Sequence, residues 1–565
     1  MSHALTGADV VVEGLIAAGV RVVFGVPGDT GIALYEALYQ RRDRIRHILA
    51  RDERAAAAMA DAYARVTNRL GVVEASSGGG ATYLVGGLGE PFAASVPLLA
   101  LTSDIPRQSR GSGAITEIDQ GSLFSAVTKY RRTVDSTAAL PRLLREALTA
   151  ALSGRPGPVS LVLPEDVLSA AAAGAPSALP SDLPLQRPEA PQAAVAAAAL
   201  AFAAAERPAI LAGSGVHLSA AWDELLALAE ENGMPVATTI HGKGAFPEDH
   251  RLSLGTAGAN GATMEANGAL AQADAVLLVG TRANATDTDG FTAPARGSAF
   301  IAQIDIDPLR AGRNYPSSLA LPGDARAVLR QLRVALSAGV RPERPAAFAR
   351  VSSGFEGKPA GCDGACLHPA DVVQTLQDAA REDTLVTADA GTPTPWLAAL
   401  WRIRRPGRTV LIPRGHGAMG FALPAAIGAA IAEPGRPVLC LTTDGSFALS
   451  CGELETVQRL RLPVTVVHLG NRSFGWIKML QRLYQDRHYL GVDFAPVRAD
   501  LVAHGFGVAA QRAETLDELA VALRNAQASG LPQFIDVSVP SEADLAPPVA
   551  PWQRTLAGAG GRPVY

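Results

Sequence analysis

Cysteine is scarce in this 565-residue chain, which has four: Cys362, Cys366, Cys440 and Cys451. So few in so long a chain exclude a disulfide framework and lead us to expect reduced thiols in a cytoplasm. Cys362 and Cys366 are close, but no second pair at zinc spacing accompanies them, so a metal site is not expected there. Aromatic residues are 5% and charged residues 18% of the chain, and the formal net charge of −4 leaves no basic footprint for nucleic acid. No run of about 18 uncharged apolar residues is present to cross a membrane. The apolar amino-terminal stretch carries Asp9, Glu13 and Arg21 and lacks the basic start and cleavage pattern of a signal peptide. What abounds is small and apolar, 48% hydrophobic with 56 glycines, the composition of an ordinary α/β protein. At roughly 100 to 200 residues per domain, the length implies three or four domains.

Short apolar runs alternate with helical stretches along the chain. Residues 8–18 read as an amphipathic helix and 21–24 as a strand, followed by a loop at Gly25 to Asp29 and a helix at 32–39. Apolar runs recur at 48–50, 71–75, 97–102 and 159–163, the pattern of a doubly wound parallel sheet. A stretch rich in Ala, Pro and Ser at 170–194 reads as a linker, and 341–366 as a second irregular one. The expected organisation is α/β with three doubly wound parallel-sheet domains at 1–169, 195–340 and 367–545, and a tail at 546–565.

The stretch from Cys440 to Gly475 organises the chemistry. Residues 437–442 form an apolar run of strand length, Asp444-Gly445-Ser446 a turn, 453–460 a helix, and 463–469 a second run. Parallel strands joined by a crossover place Asp444 and Asn471, 27 positions apart, on one sheet edge. A carboxylate and an amide oxygen suit a Mg²⁺ that takes its other oxygens from water and a ligand's phosphates, though either residue alone would pass for a turn residue. Glu53, opening the Ala-rich helix at 54–65, is explained equally by the positive helix end or by chemistry.

These residues resemble the diphosphate and metal motif of thiamine-diphosphate-dependent enzymes, with Thr443 and Gly470 as departures and the backbone carbonyl of Ser473 as third metal ligand. The resemblance implies pyrimidine-binding, central and diphosphate-binding domains. It places Glu53 at the cofactor's pyrimidine nitrogen, where a shielded carboxyl shares a proton and so promotes formation of the reactive ylide. Asp52 stands where the family has His. The segments around Pro27 and Gly28, Ser76 to Tyr83 with Gly79, Gly391-Thr392, and His416-Gly417-Ala418-Met419 also match cofactor-binding segments, with Met419 supporting the cofactor's bent conformation. Gly445, Ser446, Phe474 and Gly475 complete that set. Thr116 occupies the place of a Gln near the reacting centre in acetolactate synthases. His416 reads either as an acid or base or as a loop residue.

Residues 242–250, GKGAFPEDH, resemble a signature of the acetolactate-synthase-like central domain. Of the flavin-associated pattern only Arg282 remains, so FAD or an adenine nucleotide in that domain is left open, with Asp305, Asp307 and Asp324 either meeting it or merely ending strands. Tyr83, Trp476, Ile477 and Leu480 are expected to wall the substrate pocket. Leu480 replaces a Trp of acetolactate synthases, from which a different donor or acceptor is expected. Lys478 and Arg482 either meet an anionic substrate or form a solvated face. The expected function is decarboxylation or carboligation of a 2-oxoacid or aldehyde by a homodimer or homotetramer. The alternatives are a 2-hydroxyacyl-CoA lyase or oxalyl-CoA decarboxylase-like enzyme using an acyl-CoA substrate, or a noncatalytic cofactor-binding scaffold. No nucleic-acid or membrane partner is expected.

Overall fold

The computed structural model describes residues 5–172, 186–316, 318–337, 366–559 and 562. Its strands form three six-stranded sheets, parallel at every pairing. The first comprises β1 (Val22–Val26), β2 (Arg46–Leu49), β3 (Gly71–Ala75), β4 (Leu98–Asp104), β5 (Tyr130–Thr133) and β6 (Val159–Pro164). The second comprises β7 (Pro208–Ala212), β8 (Val236–Thr238), β9 (Ser253–Thr256), β10 (Ala275–Val279), β11 (Phe300–Asp305) and β12 (Leu319–Pro322). The third comprises β13 (Leu385–Ala388), β14 (Val410–Leu411), β15 (Val438–Thr443), β16 (Val464–Gly470), β17 (Ala509–Ala513) and β18 (Gln533–Ser538).

The orders are β2-β1-β3-β4-β6-β5 and β14-β13-β15-β16-β18-β17, so the first and third sheets share one topology. Each reverses direction of winding between its first and third strands, and a ligand crevice lies outside the carboxyl ends at such a switch point. The central strands are buried at every residue, as in β3 and β15, because helices cover both faces.

By compactness the chain falls into two units. One is Met1–Leu185 with Pro413–Arg436 and Ser450–Leu462, and holds the first sheet; the other is Gln186–Ile412 with Pro437–Leu449 and Pro463–Tyr565, and holds the second and third. In the first unit the helix Ala422–Ala432 packs on the helix Glu53–Thr67, where any side chain at Gly428 would overlap the Met59 carbonyl. Small residues let the two backbones touch. In the second unit Lys243, buried, pairs with Glu248 at 2.7 Å and donates to the Ala398 carbonyl at 3.0 Å, so the 242–250 signature fastens the central sheet to the third.

Four expectations need adjustment. Asp444-Gly445-Ser446 is the first turn of a helix, Asp444–Ser450, because the strand hands directly into it. Residues 192–194 of the expected linker begin the helix Gln192–Ala204, and the expected tail contains the helix Ala550–Leu556. Cys366 is disulfide-bonded rather than a reduced thiol, while Cys440 and Cys451 are in no disulfide. Cys362 and most of the 341–366 stretch lie outside the described residues. Among the described residues no helix is long and apolar enough to cross a membrane.

Candidate functional site

Within the first unit, side chains converge at the carboxyl ends of β1, β2 and β3. Asp52 caps the helix Glu53–Thr67 by accepting from the Arg54 backbone N–H at 2.7 Å, a task its short carboxylate performs well. Glu53, the first helical residue, is 9% exposed. Burial pushes its carboxyl above the usual range, and the negative charges of Asp52 and Glu74 add to that. The loop before it is held by Glu453, whose Oε1 accepts from the Arg51 N–H at 2.8 Å and whose own carboxyl burial pushes up to about 7.

Glu74, buried in β3, accepts from the Tyr35 hydroxyl at 2.9 Å and lies 2.9 Å from His47 Nε2. Tyr35 in turn accepts from the Gly28 N–H at 3.1 Å, which fixes the Pro27-Gly28 loop. Gly28 lies against Ser76 with no room for a side chain, whereas Gly79 faces open space at the start of the helix Gly79–Ala94. Thr116 adopts a left-handed φ of 67°, uncommon for a β-branched residue, and its hydroxyl is 2.8 Å from that of Ser77. Ser77 continues to Thr30 at 3.1 Å and Thr30 to Ser103 at 2.8 Å, a chain of four hydroxyls. Tyr83 is exposed.

The loop of Gly415, His416 and Gly417 is pinned by a single buried carboxylate. Glu90 accepts from the three backbone N–H groups, that of His416 at 2.6 Å, and from Arg65 at 3.1 Å. Arg65 also forms a forked pair with Asp61, at 2.8 and 2.9 Å. His416 is exposed, with its ring against Gly89, and Met419 is 45% exposed.

The second unit gathers the other group, at the carboxyl ends of β13, β15 and β16. Asp444 Oδ2 accepts from the N–H groups of Asn471 at 2.8 Å and Arg472 at 3.0 Å. Asn471 Oδ1 accepts from the Ser473 N–H at 3.1 Å, and its Nδ2 donates to Thr392 Oγ1 at 3.2 Å. Thr392 donates to Glu542, a fully buried acid that burial pushes up to about 7. Gly445 lies under the Phe474 ring, Ser446 is buried, and Gly391 turns with φ 101° into open space before the helix Pro393–Leu400.

Asp444 and Asn471 offer hard oxygens at neighbouring strand ends, too few to enclose an ion. Among the described residues, no group of three or more His, Cys, Asp or Glu could hold a metal instead. A Mg²⁺ sharing phosphate and water oxygens fits this set.

The helix Gly475–Tyr484 follows. Trp476 packs on the fully buried Trp552 at 4.3 Å between ring centroids, with Met479, Leu480 and Val549 in the same cluster, and Ile477 is exposed. Lys478 pairs with Asp493 at 2.6 Å on the surface and Arg482 donates to the Ala543 carbonyl, so both cations have partners within the chain. In the central sheet the loop Gly213 to Gly215 hydrogen-bonds across the β7/β10 switch point to Gly280. Asp324 accepts from Ser219 and Arg187, while Asp305 and Asp307 accept from backbone N–H groups of their own loops.

Glu74, Glu90, Glu453 and Glu542 are absent from the sequence-based set. For Glu74 and Glu90 the signal that could have found them is an acid within an apolar run, GVVEA and LVGGLGEPFAA, whereas Glu453 in GELET and Glu542 in PSEAD carry no such signal.

Family models described as "Thiamine pyrophosphate enzyme, N-terminal TPP binding domain", "central domain" and "C-terminal TPP binding domain" match residues 5–123, 195–332 and 389–537. A probable acetolactate synthase large subunit of Methanocaldococcus jannaschii is 36% identical over 96% of this chain and 94% of its own length. An acetolactate synthase of Mycobacterium bovis is 33% identical over 99% and 93%. The acetolactate synthase isozyme 2 large subunit of Escherichia coli is 32% identical over 97% and 98%.

Proposed function

Because the chain belongs to the thiamine pyrophosphate enzyme family, we propose that this thiamine-diphosphate-dependent enzyme breaks or makes a carbon–carbon bond at the carbonyl of a 2-oxoacid or aldehyde, as a decarboxylase or carboligase. The observation that carries the reading is Glu53, a buried carboxyl at a helix start that keeps its proton to higher pH than an exposed glutamate. Bound, the cofactor supplies a carbon nucleophile and an electron sink. Glu53 holds and exchanges a proton at its carboxyl oxygen. Asp444, Asn471 and the Ser473 carbonyl would hold a Mg²⁺ that neutralises phosphate charge, and Gly391, Thr392, Gly445, Ser446, Phe474 and Gly475 would hold the diphosphate. The resemblance assigns Pro27, Gly28, Gly79, Gly417 and Met419 to the cofactor's other end.

Thr116 presents a hydroxyl oriented by Ser77, and the exposed His416 serves as a proton donor or acceptor. The resemblance assigns Trp476, Ile477 and Leu480, with Tyr83, to the wall of the substrate pocket. The expectation that the reaction departs from acetolactate formation draws no support from the relatives, all three of which carry that name. The assembly is a homodimer or homotetramer in the cytoplasm, as the resemblance implies.

The test is a panel of 2-oxoacids, aldehydes and acyl-CoA thioesters incubated with thiamine diphosphate and Mg²⁺, with products identified by mass. Carbon dioxide and a ligated or decarboxylated product from a 2-oxoacid support the reading; acetolactate from pyruvate places the enzyme with its named relatives. Turnover confined to acyl-CoA thioesters contradicts it.

A further inference from the structure

We propose that Glu542, contributed by the carboxyl-terminal segment, is a positioning residue that orients the amide of Asn471 for cation binding, acting through the hydroxyl of Thr392. The inference rests on the reading of Asp444 and Asn471 as metal ligands.

The geometry is a relay of three side chains. Asn471 Nδ2 donates to Thr392 Oγ1 at 3.2 Å, and Thr392 donates to Glu542 Oε2. Glu542 is 0% exposed, and its other oxygen has no hydrogen-bond partner among the described residues. All three meet at the first residue of the helix Gly475–Tyr484. A Cβ at Gly475 would lie 2.8 Å from Asn471 Nδ2 and 3.1 Å from Thr392 Oγ1, and would overlap Glu542.

A threonine hydroxyl has one proton to give and lone pairs to offer, so alone it accepts either face of an asparagine amide. Given an acceptor at Glu542, it spends its proton there and turns its lone pairs to Asn471. Only the amide N–H₂ then fits against it. The amide oxygen is thereby fixed on the opposite side, beside the Ser473 N–H at 3.1 Å, where an oxygen rather than an N–H₂ must face a cation. Burying a carboxyl with a single hydrogen bond is a poor device for stability, since an apolar residue of similar size would avoid the desolvation cost. That points to orientation as its use.

Glu542 also starts the segment that covers the pocket-wall helix. Ala543 accepts from Arg482, Trp552 packs on Trp476, and Arg554 pairs with Asp289 at 2.8 Å. Seating of this segment and cation binding are therefore linked.

The experiment measures Mn²⁺ binding by electron paramagnetic resonance in the presence of thiamine diphosphate, beside the Tm of the apoprotein. Glu542→Leu and Thr392→Val should each bind Mn²⁺ about tenfold more weakly or worse. Thr392→Ser, which keeps the hydroxyl, should bind Mn²⁺ more tightly than Thr392→Val, and the apoprotein Tm of Glu542→Leu should not fall. Wild-type Mn²⁺ affinity in Thr392→Val, or a lowered Tm with unchanged affinity in Glu542→Leu, overturns the proposal and leaves Glu542 a structural acid. If Glu542→Leu does not fold, the Thr392→Val and Thr392→Ser pair decides alone. Asp444→Ala separates the two layers. If it too binds Mn²⁺ as wild type, the metal reading fails; if it alone loses binding, only the role of Glu542 fails.

Discussion

Asp444 Oδ2 accepts the backbone N–H of Asn471 at 2.8 Å across 27 positions of chain, so one carboxylate oxygen fastens the end of β15 to the end of β16. The hydrogen bond fixes the spacing of two expected cation ligands before any ion arrives.

Asp444→Asn keeps an acceptor for that N–H but removes the charge. We expect the Mg²⁺ concentration that half-saturates thiamine diphosphate binding to rise by at least about a hundredfold, with the apoprotein fold unchanged. Tryptophan fluorescence titrations check this.

Glu90 binds three N–H groups of the 415–417 loop and a buried arginine. Glu90→Ala strands those donors and should cost about 3 kcal/mol in urea unfolding. Glu90→Gln should lose less, because its amide oxygen still accepts from the loop.

The strand ends were legible, and with them the place of Glu53 just after β2 and of the Asp444–Asn471 pair on one edge of the third sheet, because side-chain periodicity and parallel topology fix which end of each strand a following residue occupies. Strand order was not legible, so the shared topology of the first and third sheets emerged only in three dimensions. Nor were the acids that hold the loops. Glu90 reaches His416 across 326 positions and Glu453 reaches Arg51 across 402, separations that no local pattern encodes. Asp444 was misread locally as a turn because Asp-Gly-Ser has turn chemistry, whereas the strand continues directly into a helix.

Glu453 gives a pH signature. Burial raises its carboxyl to about 7 in the folded protein, so between the ordinary value of 4.5 and about 7 the folded state binds more protons than the unfolded one. Stability therefore falls as pH rises through that window and levels off above it, by an amount on the order of 2 to 3 kcal/mol from this group. Glu453→Gln, which retains an acceptor for Arg51, should flatten that fall in urea unfolding measured from pH 5 to 8.

Trp552 is fully buried against Trp476. Trp552→Ala should destabilise the protein by about 3 to 5 kcal/mol and, by loosening the helix that carries Leu480, raise KM more than it lowers kcat. Denaturant unfolding beside steady-state kinetics checks both.

The central claim is that Glu53 is the acid–base group that activates thiamine diphosphate. It is tested without knowing the substrate by following hydrogen–deuterium exchange at the cofactor's C2 position by NMR. In the wild-type protein with Mg²⁺ the exchange should be faster than for free cofactor by at least about a hundredfold, and in Glu53→Gln, with cofactor still bound, it should fall back close to the free rate. Exchange in Glu53→Gln as fast as in wild type would contradict the account.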